Sequence, residues 1–245
     1  MSYFPLIFKV LENPDYGRVY GQPTFDFILH QCDFGEVRSK GLRSYQAVVN
    51  FILNEESLPQ YFHIYNTHPQ LYQLIASNEA VGHKYRKRVQ LRYQKEIIGS
   101  TYRKRLPDGF SLGHLRAHEL DLLETSGLGL FKKFWSSKKE FLEMGMPILI
   151  KGPANDPACL CYACTVTSGL AEVDVITLPE YRSLGLAKAS TEEFIETCLQ
   201  RGITPNWDCF EENIASLKTA QTFGFTKLRE YDFLSVFRKK LPDRK

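Results

Sequence analysis

The sequence has no apolar run long enough to cross a membrane. The run at residues 4–8 ends at Lys9, whereas a membrane-spanning helix needs roughly 20 apolar residues. The run is also too short for the core of a signal peptide. The sequence therefore predicts a cytoplasmic protein that does not associate with membranes.

The sequence also lacks a convincing metal or disulfide pattern. Its six cysteines include one CxxC spacing, Cys161 to Cys164, but without a secretory signal an even count is poor evidence for disulfides. Strand alternation would place Cys159 and Cys161 on one face and Cys164 on the other, as buried core residues rather than metal ligands. His114 and His118 are four residues apart but lack the HExxH order. The sequence predicts reduced thiols and no metal.

No internal repeat, low-complexity tract or glycine–serine linker is apparent along the 245 residues. Hydrophobic residues make up 43% and charged residues 24%, proportions typical of a globular fold and not of a disordered or fibrous chain. A change of pattern near residues 98–107 suggests a boundary. We predict a mixed α/β region of unknown function at 1–106 and a second domain at 107–245.

Hydrophobic spacing and turn residues give the order of elements. In the N-terminal region they predict strands at residues 4–8, 24–29 and 61–65 and helices at 44–53 and 69–76. In the C-terminal region they predict strands at 110–115, 147–151, 159–165, 170–178, 206–210 and 227–237. The helices there are predicted at 119–124, 185–201 and 213–222, with another that Ser136 or Ser137 caps and Gly145 ends.

Positive charge is concentrated in residues 84–105, which contain nine basic residues and one acid, Glu96. Interleaved tyrosines make nucleic-acid binding one interpretation. The favoured interpretation is a half-buried strand, because Val89, Leu91 and Tyr93 alternate with Arg88, Gln90 and Arg92. We therefore expect a solvated basic face and no nucleic-acid partner.

The most informative segment joins a strand to a helix at residues 171–187. The strand breaks at Pro179, and the following helix begins near Gly185. A helix that begins on glycine and small residues exposes its first N–H groups, and its positive dipole end favours phosphate. This segment predicts an anion-binding turn.

Two motifs at a characteristic spacing identify the family that the sequence resembles. Arg182-x-x-Gly185-x-Ala187 matches the acyl-CoA loop of the GNAT superfamily of acyl-CoA N-acyltransferases, and Asn213-Ile-Ala-Ser216 through Phe225 resembles its later Asn-x-x-Ser/Ala helix. Within the superfamily, Leu-Pro-Glu-Tyr-Arg at 178–182 is similar to glycine N-acyltransferases, and residues 205–213 look more like bacterial acetyltransferases of the zwittermicin-resistance type.

The resemblance implies an α/β (α+β) fold with a mixed, mostly antiparallel sheet flanked by helices. It also implies that residues 107–245 form the catalytic domain, with acetyl-CoA as cosubstrate. The CoA-binding residues carried over are Val175, Ile176, Thr177, Arg182, Ser183, Gly185, Leu186, Ala187, Lys188 and Asn213.

The resemblance also directs attention to acids on the central strand. Glu172 is our first candidate for the general base and Asp174 the second, since both would lie on one face of that strand. Where many relatives have a tyrosine acid this sequence has Ala220, so Tyr231 becomes the substitute candidate. Asp208 is a further candidate for substrate contact.

The predicted function is acetyl transfer from acetyl-CoA to a primary amine of a small molecule, by direct attack on the thioester. The alternative is a catalytically inactive GNAT-like binding module that uses residues 84–105 to hold nucleic acid or an acidic partner. The sequence predicts neither the identity of the amine nor the oligomeric state.

Overall fold

The computed structural model describes residues 3–40, 45–94 and 106–238. The chain forms two compact units: the first comprises Met1–Arg88 with Glu230–Lys245, and the second comprises Val89–Arg229. The long strands β5 (Val81–Tyr93) and β11 (Phe225–Arg238) each contribute residues to both units. These units divide the chain at positions other than the predicted boundary between residues 106 and 107.

The first unit combines short strands with three helices. Strands β1, β2 and β3 pair in antiparallel order, β3 runs parallel to β4, and β11 lies antiparallel to β4. The bounds are α1 (Pro5–Glu12), β1 (Gly17–Gly21), β2 (Phe25–His30), β3 (Phe34–Ser39), α2 (Tyr45–Asn54), β4 (Tyr61–Tyr65) and α3 (Pro69–Ala76). A core of apolar residues from β2, β4 and both α2 and α3 fills one side.

The predicted N-terminal strand is wrong, because residues 5–12 form helix α1. Pro5 occupies the first turn, where its missing N–H costs nothing. Leu6, Ile7 and Val10 are all buried, and their spacing matches one face of a helix. The apolar run is therefore one turn of an amphipathic helix.

The second unit contains the remaining strands. Strands β6 to β9 pair in antiparallel order, and β10 runs parallel to β9. The bounds are β6 (Ser111–His114), α4 (Leu120–Ser126), α5 (Lys138–Met144), β7 (Ile148–Lys151), β8 (Pro157–Thr167), β9 (Leu170–Thr177), α6 (Leu186–Gln200), β10 (Thr204–Phe210) and α7 (Ile214–Thr222). No helix among the described residues is long and apolar enough to span a membrane.

The basic segment does form a strand, β5, over its first part. Val89, Leu91 and Tyr93 are buried as predicted. The expected solvated face is wrong at two positions, because Arg88 and Gln90 are buried too. The Arg88 guanidinium lies 5.1 Å from the ring centroid of Phe233. Residues 95–105 lie outside the described residues.

The two units contain the same order of strands and helices, a repeat that is not apparent from the sequence. Two antiparallel strand pairs lead into a strand–helix–strand crossover with parallel strands, first as β1-β2-β3-α2-β4 and then as β7-β8-β9-α6-β10. A further helix follows each crossover, α3 in the first unit and α7 in the second. In the strand order, the next neighbour of β4 is β11 and that of β10 is β5. The chain therefore contains a topological repeat.

Candidate active site

Strands β9 and β10 part from each other partway along their length. Their parallel pairing joins Leu170–Glu172 to residues 204–206, and both strands continue beyond it, to Thr177 and Phe210. Residues 171–173 are buried, whereas residues 174–177 are half-buried. The end of pairing thus produces an opening with Glu172 at its closed end.

The turn after β9 presents the start of helix α6. Ser183 and Gly185 have φ angles of 65° and 79°, in the left-handed region that glycine adopts without strain. Gly185 is the N-cap residue, no side chain caps the helix, and no acid lies in its first turn. The first intrahelical bond runs from Ala189 N to Gly185 O, 3.2 Å. This helix end can therefore accept an external anion.

The side chain of Arg182 forms a hydrogen bond that supports the turn. Its Nε donates to the carbonyl oxygen of Thr177 over 3.3 Å, which ties the turn to the end of β9. Tyr181 donates to Asp156 over 2.5 Å, and this hydrogen bond, with burial, raises the pKa of the tyrosine. The predicted acyl-CoA loop is thus anchored at both Tyr181 and Arg182.

Contacts of β8 show which face of β9 each side chain occupies. Cys161, the partner of Val175, places its Sγ 4.0 Å from Thr191 Oγ1 in α6. The Val175 side of β9 therefore faces α6. By alternation, Glu172 and Asp174 lie together on the opposite face, as predicted.

Asp174 has a fixed partner on that face. The hydroxyl of Tyr162, which is directly opposite on β8, donates to Asp174 Oδ2 over 2.7 Å. Burial and the charge of Asp174 raise the pKa of Tyr162 well above its ordinary value. Tyr162 therefore remains a neutral donor, and Asp174 is held in place by it.

Glu172 lies between two polar residues that the sequence analysis did not select. Thr165 on β8 and Asn206 on β10 are its register partners, so the three side chains form one row across a single face. All three are buried, with 1% of Thr165, 7% of Glu172 and 6% of Asn206 exposed. Only the strand register, which the sequence does not specify, brings them together.

Two other predicted site residues have contacts of their own. Tyr231 belongs to the first unit, where its ring packs 5.0 Å from Phe4 and 6.0 Å from Tyr65, centroid to centroid. Asn213 caps α7, and its Oδ1 accepts from Ser216 N over 3.1 Å.

The cysteines are buried in the described structure. Cys159 lies against Ser190 and Thr177, and burial raises its pKa. Burial also raises the pKa of Cys198 to about 12. These thiols remain protonated at neutral pH and are poor nucleophiles. Within the described ranges, no group of three or more His, Cys, Asp or Glu residues could hold a metal ion.

Comparison with known proteins identifies the family. A family model described as GNAT acetyltransferase matches residues 28–234. The chain belongs to the GNAT acetyltransferase family. This match confirms the resemblance drawn from the two motifs, and it extends across both units.

One curated relative agrees with this assignment. Over 126 residues the chain is 30% identical to "Uncharacterized N-acetyltransferase YdfB" of Bacillus subtilis (strain 168), a match covering 51% of this chain and 48% of that protein. The chain thus spans about half the length of the curated relative it matches.

Solved structures confirm the predicted fold class. A GCN5-related N-acetyltransferase-like protein from Streptococcus suis matches with a TM-score of 0.72 and 20% identity, over 94% of this chain and 91% of that one. A putative GNAT-family acetyltransferase from Novosphingobium aromaticivorans matches with a TM-score of 0.63 and 14% identity, over 96% and 98%. The family match and the curated N-acetyltransferase relative do not favour the alternative of an inactive binding module.

Proposed function

We propose that the chain transfers an acetyl group from acetyl-CoA to a primary amine of a small molecule. The observation that carries the proposal is the combination of the uncapped start of α6 with the opening between β9 and β10. An anion site and an unpaired strand edge at one turn suit a ligand with a pyrophosphate and an extended arm. Membership of the GNAT family supports the same activity.

The residues around this turn fit CoA. Backbone N–H groups between Arg182 and Lys188 bind the pyrophosphate, and Gly185 lets it approach the bare backbone. The pantetheine arm pairs with Val175, Ile176 and Thr177 as an added strand. Ser183, Leu186 and Ala187 complete the loop, and Asn213 lies at the start of α7 as the remaining proposed contact.

Glu172 is the proposed general base, with Asp174 second. The amine must be neutral to attack, so a carboxylate accepts its proton. The new C–N bond forms as the C–S bond breaks, and the departing thiolate takes a proton. Asp174 accepts the Tyr162 hydroxyl, and it remains the second candidate. Water protonates the thiolate in this scheme.

The acceptor is proposed to be a cationic amine. Asp208 lies two residues beyond Asn206 on β10, and by alternation it shares the face of Glu172 and Asp174. Three acids on one face favour a positively charged small molecule over an anionic one.

An amine panel tests the proposed activity. The full chain is incubated with acetyl-CoA and primary amines, and both free CoA and acetylated amine are measured. Equal amounts of the two products support the proposal. CoA release without acetylated amine, or salt-sensitive nucleic-acid retention with no transfer to any amine, contradicts it.

A further inference from the structure

The polar row of Thr165, Glu172 and Asn206 contains two groups whose hydrogen bonds the fold does not provide. Thr165 Oγ1 and Asn206 Nδ2 are buried, and neither has a hydrogen-bond partner within the described part of the chain. Buried polar groups are almost always hydrogen-bonded, because leaving one unsatisfied costs its full desolvation. Both groups flank the proposed base.

The direction of each side chain follows from independent contacts. Trp207, next to Asn206, donates its Nε1 to Ser216 in α7 over 3.0 Å, so Asn206 lies on the opposite face of β10. On β8 an extra residue, Cys164, shifts the register between Ala163 and Thr165. This bulge places Thr165, instead of Cys164, directly opposite Glu172.

Neighbouring backbone contacts hold the bulge in place. Ala163 donates its N–H to Gly145 O over 2.8 Å, and its carbonyl accepts Trp135 Nε1 over 2.8 Å. Both groups of Ala163 are therefore satisfied away from the ladder. The fold thus maintains the register that sets the Thr165 hydroxyl beside the carboxylate.

We infer that Thr165 and Asn206 are positioning residues that together hold a water molecule against the Glu172 carboxylate. A small acceptor amine cannot reach a row that is more than nine-tenths buried, but a water with two to four polar partners can occupy such a site. The water accepts the proton of the amine and passes one of its own to Glu172. This inference rests on the proposed role of Glu172.

Measurements of rate and stability together test the role proposed for Thr165. Thr165→Val keeps the shape but removes the hydroxyl, and kcat/KM is expected to fall about tenfold, at the lower end of the contribution from proton transfer. The acid limb of the pH–rate profile moves to higher pH, because a carboxylate that loses hydrogen-bond donors binds its proton more readily. The melting temperature should change little, because the only hydrogen bond lost is the one to the water. Thr165→Ser restores rate and profile.

Asn206→Asp tests the other side of the row. It places a second carboxylate beside Glu172, so the acid limb moves to higher pH by like-charge repulsion. Asp174, Tyr162 and Asp208 also lie on this face of the three strands, and all variants retain them. Thr167→Val, a matched change on β8 outside the row, should leave the pH profile unchanged.

Three outcomes would overturn the inference. One is a wild-type rate and pH profile in Thr165→Val; another is a Thr165→Ser variant as slow as Thr165→Val. The third is a high-resolution crystal structure in which Thr165 bonds directly to Glu172 with no water between the three side chains. That structure requires no activity, so it tests the row even if Glu172→Gln retains full rate and the proposed base is wrong.

Discussion

The two units have the same order of strands and helices, but they differ in the side chains at the end of their parallel strand pair. In the second unit the pairing of β9 and β10 ends at the polar residues Glu172 and Asn206, and the opening begins beyond them. In the first unit, β3 and β4 pair at Phe34–Gly35 with residues 63–64, and aromatic rings fill the region. Phe4 of α1 stacks on Tyr65 at 4.4 Å.

The acids on the two corresponding strands differ in the same way. Glu36 on β3 is paired with Arg38 Nε at 2.7 Å, and the Arg38 guanidinium lies 5.4 Å from the centroid of Phe8 in α1. Glu172 on β9 instead lies beside two groups with unmet hydrogen-bonding capacity. The comparison indicates that the same arrangement of strands is packed and structural in the first unit. In the second unit we propose that it is catalytic.

The largest expected effect is the difference in activity between variants of these two acids. Glu172→Gln should lower kcat/KM about 100-fold or more, because it removes the proton acceptor. Glu36→Gln should change kcat/KM by no more than about twofold while lowering stability. Steady-state kinetics with denaturant unfolding of both variants checks this. A Glu36→Gln variant as impaired as Glu172→Gln, at full stability, would break the comparison.

A tenfold effect is expected at the start of α6. Gly185→Ala adds a Cβ where the pyrophosphate approaches, and KM for acetyl-CoA should rise about tenfold. Gly202, just beyond the other end of α6, has a φ of 70°, and a Cβ added there would meet no atom within 4 Å. Gly202→Ala should therefore carry similar backbone strain, about 1 kcal/mol, and leave KM unchanged. Equal KM values in the two folded variants would contradict the CoA site.

A smaller effect concerns pH and the first unit alone. Burial and the nearby charge of Lys9 lower the pKa of His30 to about 3. As the pH falls, His30 therefore binds a proton in the unfolded chain before it does so in the folded chain. The stability due to neutral His30 is complete above pH 6.5 and is lost as the pH falls toward 3. Unfolding free energy should drop by about 1 kcal/mol between pH 7 and 5.5.

Denaturant unfolding at the two pH values measures this loss. His30→Gln should reduce the pH dependence, whereas His114→Gln, at an exposed position, should leave it as in the wild type. A pH dependence that His30→Gln does not alter would show that another group is responsible.

The smallest effect is expected from the exposed cations of β5. Lys84, Lys87 and Arg92 are exposed, unlike Arg88, so changing these three to Gln should leave the fold intact. Affinity for CoA should change by about twofold or less, and the change should diminish with salt. Isothermal titration at two salt concentrations checks it. Nucleic-acid binding lost in this variant, with acyl transfer absent in both proteins, would favour the binding module.

The sequence predicted the elements of the second unit and the anion-binding turn, because glycine stops, proline breaks and alternation are local signals. It did not predict α1, whose five-residue apolar run resembles a strand until the buried partners of Ile7 and Val10 are known. Strand β1 was missed because most of its residues are exposed.

The candidate site was predictable only in part, because only some of its features depend on local sequence signals. Glu172 and Asp174 follow from alternation within one strand. Thr165 and Asn206 depend on register between strands and on the bulge at Cys164, which are set by tertiary packing. The topological repeat was equally hidden, since the two units fill matching positions with different side chains.

The most direct test of the account is a crystal structure of the full chain with bound CoA. We expect the pyrophosphate at the backbone of residues 182–188, and the pantetheine arm along Val175–Thr177 in the opening between β9 and β10. The thiol should point toward the face that carries Glu172. CoA bound between β3 and β4 of the first unit, or elsewhere with α6 untouched, would contradict the assignment of acyl transfer to the second unit.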